Sequence, residues 1–201
     1  MTERETRITG AEIIWECLIK EGVDVIFGYP GGAILPAYDA LTKYDDRIHH
    51  VLVRHEQTVA YMADGYARTT GKPGVGLVVP GPGALNTTAA LGTAYATSSP
   101  VLLVSGQIES YNLGKNHGAL HEIGESLDVF QQLTKWCDRV RNVEEIPSMV
   151  QTAMEKLSTG RPRPVVIEIP WNILPGRGDI ELPELETFTK TTPDRAQKRE
   201  A

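Results

Sequence analysis

The stretch VLVRHEQTVAYMADGYAR, residues 51–68, begins as a strand and ends as a helix, with a carboxylate at the join. Val51, Leu52 and Val53 are apolar in succession, the mark of a buried strand. Ala60, Ala63, Tyr66 and Ala67 recur at helical spacing. Between the two runs stand Arg54, His55 and Glu56. An acid in the first turn of a helix is favoured by the macrodipole, by roughly 0.3–1 kcal/mol. A carboxylate between apolar walls can also share a proton with a ring nitrogen. Arg54 and Asp64 read more simply as surface or ion-pair residues.

Outward from this stretch the same alternation repeats. Upstream, Thr9 and Glu12 have the spacing of a capping box, followed by an apolar stripe of Ile13, Ile14, Cys17 and Leu18 that Gly22 can stop. VDVIFGYP reads as a strand ending in turn chemistry. GGAILPAYDALTKY reads as a helix in which Pro36 must lie near the first turn. Strand 49–55 and helix 57–70 follow. Downstream, GVGLVVP is a third strand, GALNTTAALGTAYATSS one small-residue helix, and VLLVSG a fourth strand. Residues 107–125 show no period and form a long loop, a feature that is often functional in compact α/β domains. A helix over 126–135, a short strand in KWCDRVR, a helix in EEIPSMVQTAMEKLS and a strand in PVVIEIP complete the pattern. Strands alternating with helices, several of them apolar without alternation, indicate a parallel sheet covered on both faces.

The domain spans 1–175, and 176–201 has the composition of a linker leading toward a central domain. Of the 201 residues, 41% are hydrophobic and 23% charged, as in globular proteins, and the net charge of −6 argues against nucleic-acid or anionic-membrane partners. MTERETRITG has no apolar signal-like region, and no run approaches the ~18 residues of a membrane span. The expectation is a cytoplasmic protein. Cys17 and Cys137 lack metal spacing and read as buried thiols.

Ligands of open α/β sheets bind beyond the carboxyl ends of the strands. Three such ends carry GYPGGA (28–33), RHEQ (54–57) and PGPGALN (80–86). Glycine there lets the backbone approach a ligand, although tight turns need glycine on their own account. Neither glycine loop matches the dinucleotide fingerprint G-x-G-x-x-G.

FGYPGGAILPAYDAL, RHEQTVAYMADGYAR, GPGALN and SGQ, in this order and spacing, closely resemble the N-terminal pyrimidine-binding domain of thiamine diphosphate-dependent enzymes of the acetolactate synthase type. The resemblance covers about residues 8–185. It implies a three-layer α/β/α fold with a six-stranded, mostly parallel sheet that pairs with a second domain of similar fold. It implies that Glu56 hydrogen-bonds N1′ of the cofactor's aminopyrimidine and activates it for attack on a 2-oxo acid. Pro30 and Gly31 would line the pocket, Pro82 and Asn86 would approach the pyrimidine, and Gln107 would face the substrate.

The chain departs from that family in two places. Where acetolactate synthases carry Phe-Gln-Glu, HGALHEI places Leu120, His121 and Glu122, with His117 nearby. A histidine here can relay protons, which puts His121 on the substrate side. The family's Gly-Asp-Gly motif, followed by the Asn that ligates Mg²⁺, does not occur in this sequence. The implied partner is a diphosphate-binding domain that holds Mg²⁺, in the same longer protein or in another chain, within a homo-oligomer. Substrate, acceptor and any accompanying FAD are left open. The expected activity is 2-oxo acid decarboxylation or carboligation, absent without that second domain. The alternatives are a subunit of a split sulfopyruvate- or phosphonopyruvate-type decarboxylase and a non-catalytic module that keeps the fold. The linker-like tail counts against the first, and Glu56 against the second.

Overall fold

A computed structural model describes residues 6–180. Six strands form one sheet: β2 (Val25–Gly28), β3 (His49–Leu52), β4 (Gly74–Val78), β5 (Val101–Gln107), β6 (Trp136–Arg139) and β7 (Val165–Pro170). Their order is β3-β2-β4-β5-β7-β6, and every neighbouring pair is parallel. From β2 the chain steps outward to β3, then crosses back over β2 to β4. Right-handed crossovers in opposite directions put their helices on opposite faces. Accordingly α1 (Gly10–Lys20), α2 (Leu35–Leu41) and α7 (Ile146–Ser158) cover one face. The other is covered by α3 (Glu56–Thr70), α4 (Pro82–Asn86), α5 (Thr88–Thr97) and α6 (Ser126–Gln131). The three-layer α/β/α fold expected from the sequence is the one observed.

Burial on both faces explains the unbroken apolar strands. Leu102 and Val104 point into the α1/α7 layer, with Trp15, Leu18 and Met154. Val101 and Leu103 point into the α3/α5 layer, with Val59, Leu91 and Phe130. Trp15 is fully buried, and its indole N–H donates to the Ala37 carbonyl at 2.8 Å, so the ring keeps no unsatisfied polar atom. Of the cysteines, Cys17 is buried, which pushes its thiol up to about 12. Cys137 is only half-buried, less than the sequence reading has it.

Four details differ from the sequence reading. Strand β3 is not buried: it lies at the sheet's edge, where one side has no neighbouring strand among the described residues, and it ends at exposed Leu52 rather than at residue 55. The small-residue helix is interrupted at Thr87, whose N–H and hydroxyl both bond the Ala84 carbonyl, at 3.1 and 2.6 Å, between α4 and α5. The helix after the long loop is shorter, ending at Gln131. At the head of the linker-like tail, Arg177–Ile180 form β8, which pairs antiparallel with β1 (Thr6–Thr9), Thr6 opposite Ile180. The remainder of the tail lies outside the described residues.

The predicted capping box is present. The Glu12 N–H donates to Thr9 Oγ1 at 3.2 Å, and Glu12 Oε2 accepts the Thr9 N–H at 2.7 Å. Lys43 adds an ammonium 2.6 Å from Oε1. Burial alone would raise this carboxyl, but the Lys43 and Thr9 hydrogen bonds outweigh it and hold the group at about 2, against 4.5. A depressed native pKa contributes stability that is full above the unfolded value and is lost as pH falls through the folded one. Glu12→Gln is therefore expected to flatten the stability–pH curve between about pH 4.5 and about 2. Urea-unfolding midpoints across that range check it, and an unchanged slope would remove Glu12 from the acid response.

Candidate functional site at the carboxyl ends of the strands

The crossover at β2 opens a crevice at the sheet's carboxyl edge, between β2 and β4, the position where doubly wound sheets bind ligands. Three turns meet there. The turn after β2 carries Tyr29–Gly32, the join after β3 carries Glu56, and the turn after β4 leads through Gly81 into α4. Val79 is the hub. A Cβ on Gly31 would stand 2.5 Å from Val79 Cγ1, and one on Gly83 would collide with Cγ2. Both glycines thus let bare backbone close on one valine. Pro30 and Pro82, one residue before each, are exposed.

Glu56 is the first residue of α3, capped by His55, whose Nδ1 accepts the Gln57 N–H at 3.1 Å. Strand β3 fixes where the carboxylate emerges, and the helix N-terminus favours its negative charge. The side chain is half-buried. Its Oε2 accepts from the Asn86 amide at 2.9 Å, while Oε1 faces the backbone of Gly83, 3.3 Å from where a Cβ would stand. Gly31, Glu56 and Asn86, separate in sequence, thus share one small region around Val79. Neither Gly83 nor Val79 is among the residues anticipated from the sequence. The signal for Gly83 was the second glycine of GPG, which helix-start chemistry alone does not require.

The two substrate-side residues are placed differently from each other. Gln107 is buried, and its carboxamide is fully engaged. It donates to Ser126 Oγ at 2.9 Å and to Glu168 Oε2 at 3.2 Å, and accepts the Ile108 N–H at 2.8 Å. His121 lies in the 108–125 segment, which contains no helix or strand. Its φ is +71°, and its buried Nδ1 has no hydrogen-bond partner among the described residues. Its backbone rests on Gly81: a Cβ there would meet the His121 carbonyl carbon at 3.0 Å and Cα at 3.2 Å. Gly81 has φ +58°, so glycine is required twice over, for conformation and for contact. His117 is exposed. Glu122 knots the segment from within, accepting the N–H groups of Gly118 at 2.6 Å and Ala119 at 2.9 Å. Those bonds, Ala119's first, hold its carboxyl below the usual range. Asp64 is buried beside Arg68 at 3.5 Å, and Arg54 is exposed, as the ion-pair and surface readings have them.

Next to these turns lies a cleft of about 370 Å³. Gly32 and Ala33 form one side, Ile108, Ala119 and Leu120 another, and Trp171, Glu109 and Asn112 complete it. It is mostly apolar with a few polar groups, the composition of small-molecule sites. Among the described residues no group of three or more His, Cys, Asp or Glu could hold a metal ion, and no helix is long and apolar enough to cross a membrane.

Comparison with known proteins identifies the family. Residues 8–131 match the family model for the thiamine pyrophosphate enzyme, N-terminal TPP binding domain. The chain is 46% identical over 172 residues to the probable acetolactate synthase large subunit of Methanocaldococcus jannaschii, covering 86% of this chain and 28% of that protein. It is 45% identical over 164 residues to the acetolactate synthase large subunit of Haemophilus influenzae, covering 82% of this chain and 28% of that one. It is 40% identical over 166 residues to the mitochondrial catalytic subunit of acetolactate synthase from Saccharomyces cerevisiae, covering 83% and 24%. The chain thus spans about a quarter of the length of these relatives. With its fold, its strand-end turns and the family match in agreement, the chain belongs to the thiamine pyrophosphate enzymes, as their N-terminal TPP binding domain.

Proposed function

We propose that this domain binds the aminopyrimidine half of thiamine diphosphate and that Glu56 activates it, in an enzyme that decarboxylates or carboligates 2-oxo acids as acetolactate synthases do. The observation that carries the reading is the setting of Glu56. One carboxylate oxygen is held by Asn86, and the other lies against Gly83 with no hydrogen-bond partner among the described residues. The residues present suit a flat ring with hydrogen-bonding edges. Gly31 and Gly83 let the two turns close on Val79 beside it, and Glu56 supplies an acceptor for a ring N–H.

The bound cofactor supplies an electron sink for decarboxylation and carbon–carbon bond formation. The chain's own part is proton management. Glu56 would share a proton with a ring nitrogen of the bound cofactor. Asn86 keeps the carboxylate from rotating away. Pro30 and Pro82 stiffen the turns on either side. His121 and Leu120 stand on the substrate side, in the wall of the 108–125 segment. Gln107 acts one step back, through the position of that wall, because its amide has no free edge.

The diphosphate and its Mg²⁺ are assigned to a diphosphate-binding domain, in the same longer protein or in another chain. Exposed Tyr29, Leu35 and Leu52, at the end of β2, the start of α2 and the end of β3, offer that domain an apolar seat. A split decarboxylase subunit would use Glu56 in the same way. A non-catalytic module has no use for a carboxylate so held.

The test is nuclear magnetic resonance of the ¹⁵N-labelled chain titrated with thiamine diphosphate. Amide shifts should saturate and concentrate at 31, 56 and 83–86, the prolines at 30 and 82 having no N–H. Saturable shifts elsewhere, with these amides unmoved, would overturn the reading.

A further inference from the structure

PVVIEIP is apolar apart from Glu168, which sits fully buried in β7 between β5 and β6. Its two oxygens serve the two ends of the 108–125 segment. Oε2 accepts from Gln107, the last residue of β5, at 3.2 Å. Oε1 accepts a short hydrogen bond from the Ser126 hydroxyl, at the first residue of α6. Arg139, at the end of β6, neutralises the carboxylate with an Nε–H bond of 2.8 Å. The same guanidinium reaches Glu125, where Nη1 donates to Oε2 at 3.3 Å and Nη2 makes a shorter bond to Oε1. The residues flanking a long irregular segment, Gln107 before it and Glu125 and Ser126 at its close, therefore converge on one ion pair.

Stability alone does not account for that arrangement. A buried ion pair is often matched or bettered by apolar side chains of similar volume, because both charges must leave water. What apolar side chains cannot do is hold two distant points of the chain in a fixed register. Here the held points bracket Ala119 and Leu120, which wall the cleft opposite Gly32 and Ala33, and His121, whose backbone rests on Gly81.

We propose that Glu168 and Arg139 are positioning residues for the site: they clamp both ends of the 108–125 segment to the sheet, and so set the width of the cleft and the place of His121 above the turn after β4. That this serves catalysis rests on the function proposed above. The clamp itself is tested without ligand, so its failure would leave the reading of Glu56 standing.

The experiment is hydrogen exchange, read by mass spectrometry, on the 201-residue chain and its Arg139→Met/Glu168→Met variant, beside thermal unfolding. The variant should lose some Tm, because buried Gln107 and Ser126 lose an acceptor, yet keep unchanged protection in β4, β5 and β7. Peptides within 108–124 should exchange about tenfold faster, as lost anchoring hydrogen bonds open them locally. A purely structural pair would instead speed exchange throughout. Unchanged exchange in 108–124, or equal acceleration across the sheet, overturns the proposal. If the double variant does not fold, Ser126→Ala removes a single hydroxyl from the clamp. It should speed exchange in the same peptides by about threefold, and no local change there would overturn the proposal equally.

Discussion

Glu56→Gln is expected to cost about 10²–10⁴-fold in kcat of the complete enzyme, the usual worth of a positioned acid–base group, with the fold intact. Glutamine keeps the length and shape of the side chain, and its carbonyl can still accept from Asn86. It cannot share a proton with a ring nitrogen. The fold survives because the side chain is half-buried and bonded to the protein through Asn86 at the open end of the sheet, not in either core. The direct measurement is exchange of the C2 proton of bound thiamine diphosphate, which isolates activation from later steps. It should slow in parallel with kcat. Exchange at the parent rate would show that Glu56 does not activate the cofactor, whatever happens to turnover.

The second large effect is a separation of folding from catalysis. The 201-residue chain, assayed by itself, is expected to fold but to release no CO₂ from pyruvate and to bind thiamine diphosphate weakly. Its core is complete: two apolar layers close on both faces of six paired strands, enough for a domain of this size. The cofactor's charge is less well served. The turns YPGGAI (29–34) and VPGPGALNTTAA (79–90) contain no lysine or arginine to meet a diphosphate. Magnesium binding needs several oxygen ligands in a near-octahedral arrangement, which the proposed partner domain would supply. Calorimetry with thiamine diphosphate and Mg²⁺, beside a CO₂-release assay, decides the point. Micromolar affinity with turnover would place the diphosphate site within this chain.

Much of the fold was legible because its determinants are local. Apolar strands of four to seven residues, a Thr9–Glu12 cap and Pro36 at a helix start each carry their own signal. Glu56 was legible for the same reason, as a charge at a change of period. What escaped depends on contacts distant in sequence. Strands β1 and β8 are short and polar, and pair only because the fold brings residues 6–9 beside 177–180. Gln107 reads as the start of the long loop, and its place at the end of β5 and its burial go with Ser126 and Glu168. Its clue was available elsewhere: a lone glutamate in PVVIEIP must find a cation, and Arg139 lies on the neighbouring strand. Asn86 enters the candidate site through the resemblance alone, and its bond to Glu56 depends on α4 bringing the two together.

The small ribbon of β1 and β8 bears on the order of events as the chain folds. Nearly all the described residues lie between its two strands, so closing it first would sacrifice the most chain entropy for four residue pairs. The central sheet has no hairpins, yet β2, β3 and β4 lie within a short span and can associate while the rest is still loose. The ribbon therefore belongs at the end of the folding sequence. By the same reckoning it is the first part of the molecule to open, a latch that releases without disturbing the sheet behind it.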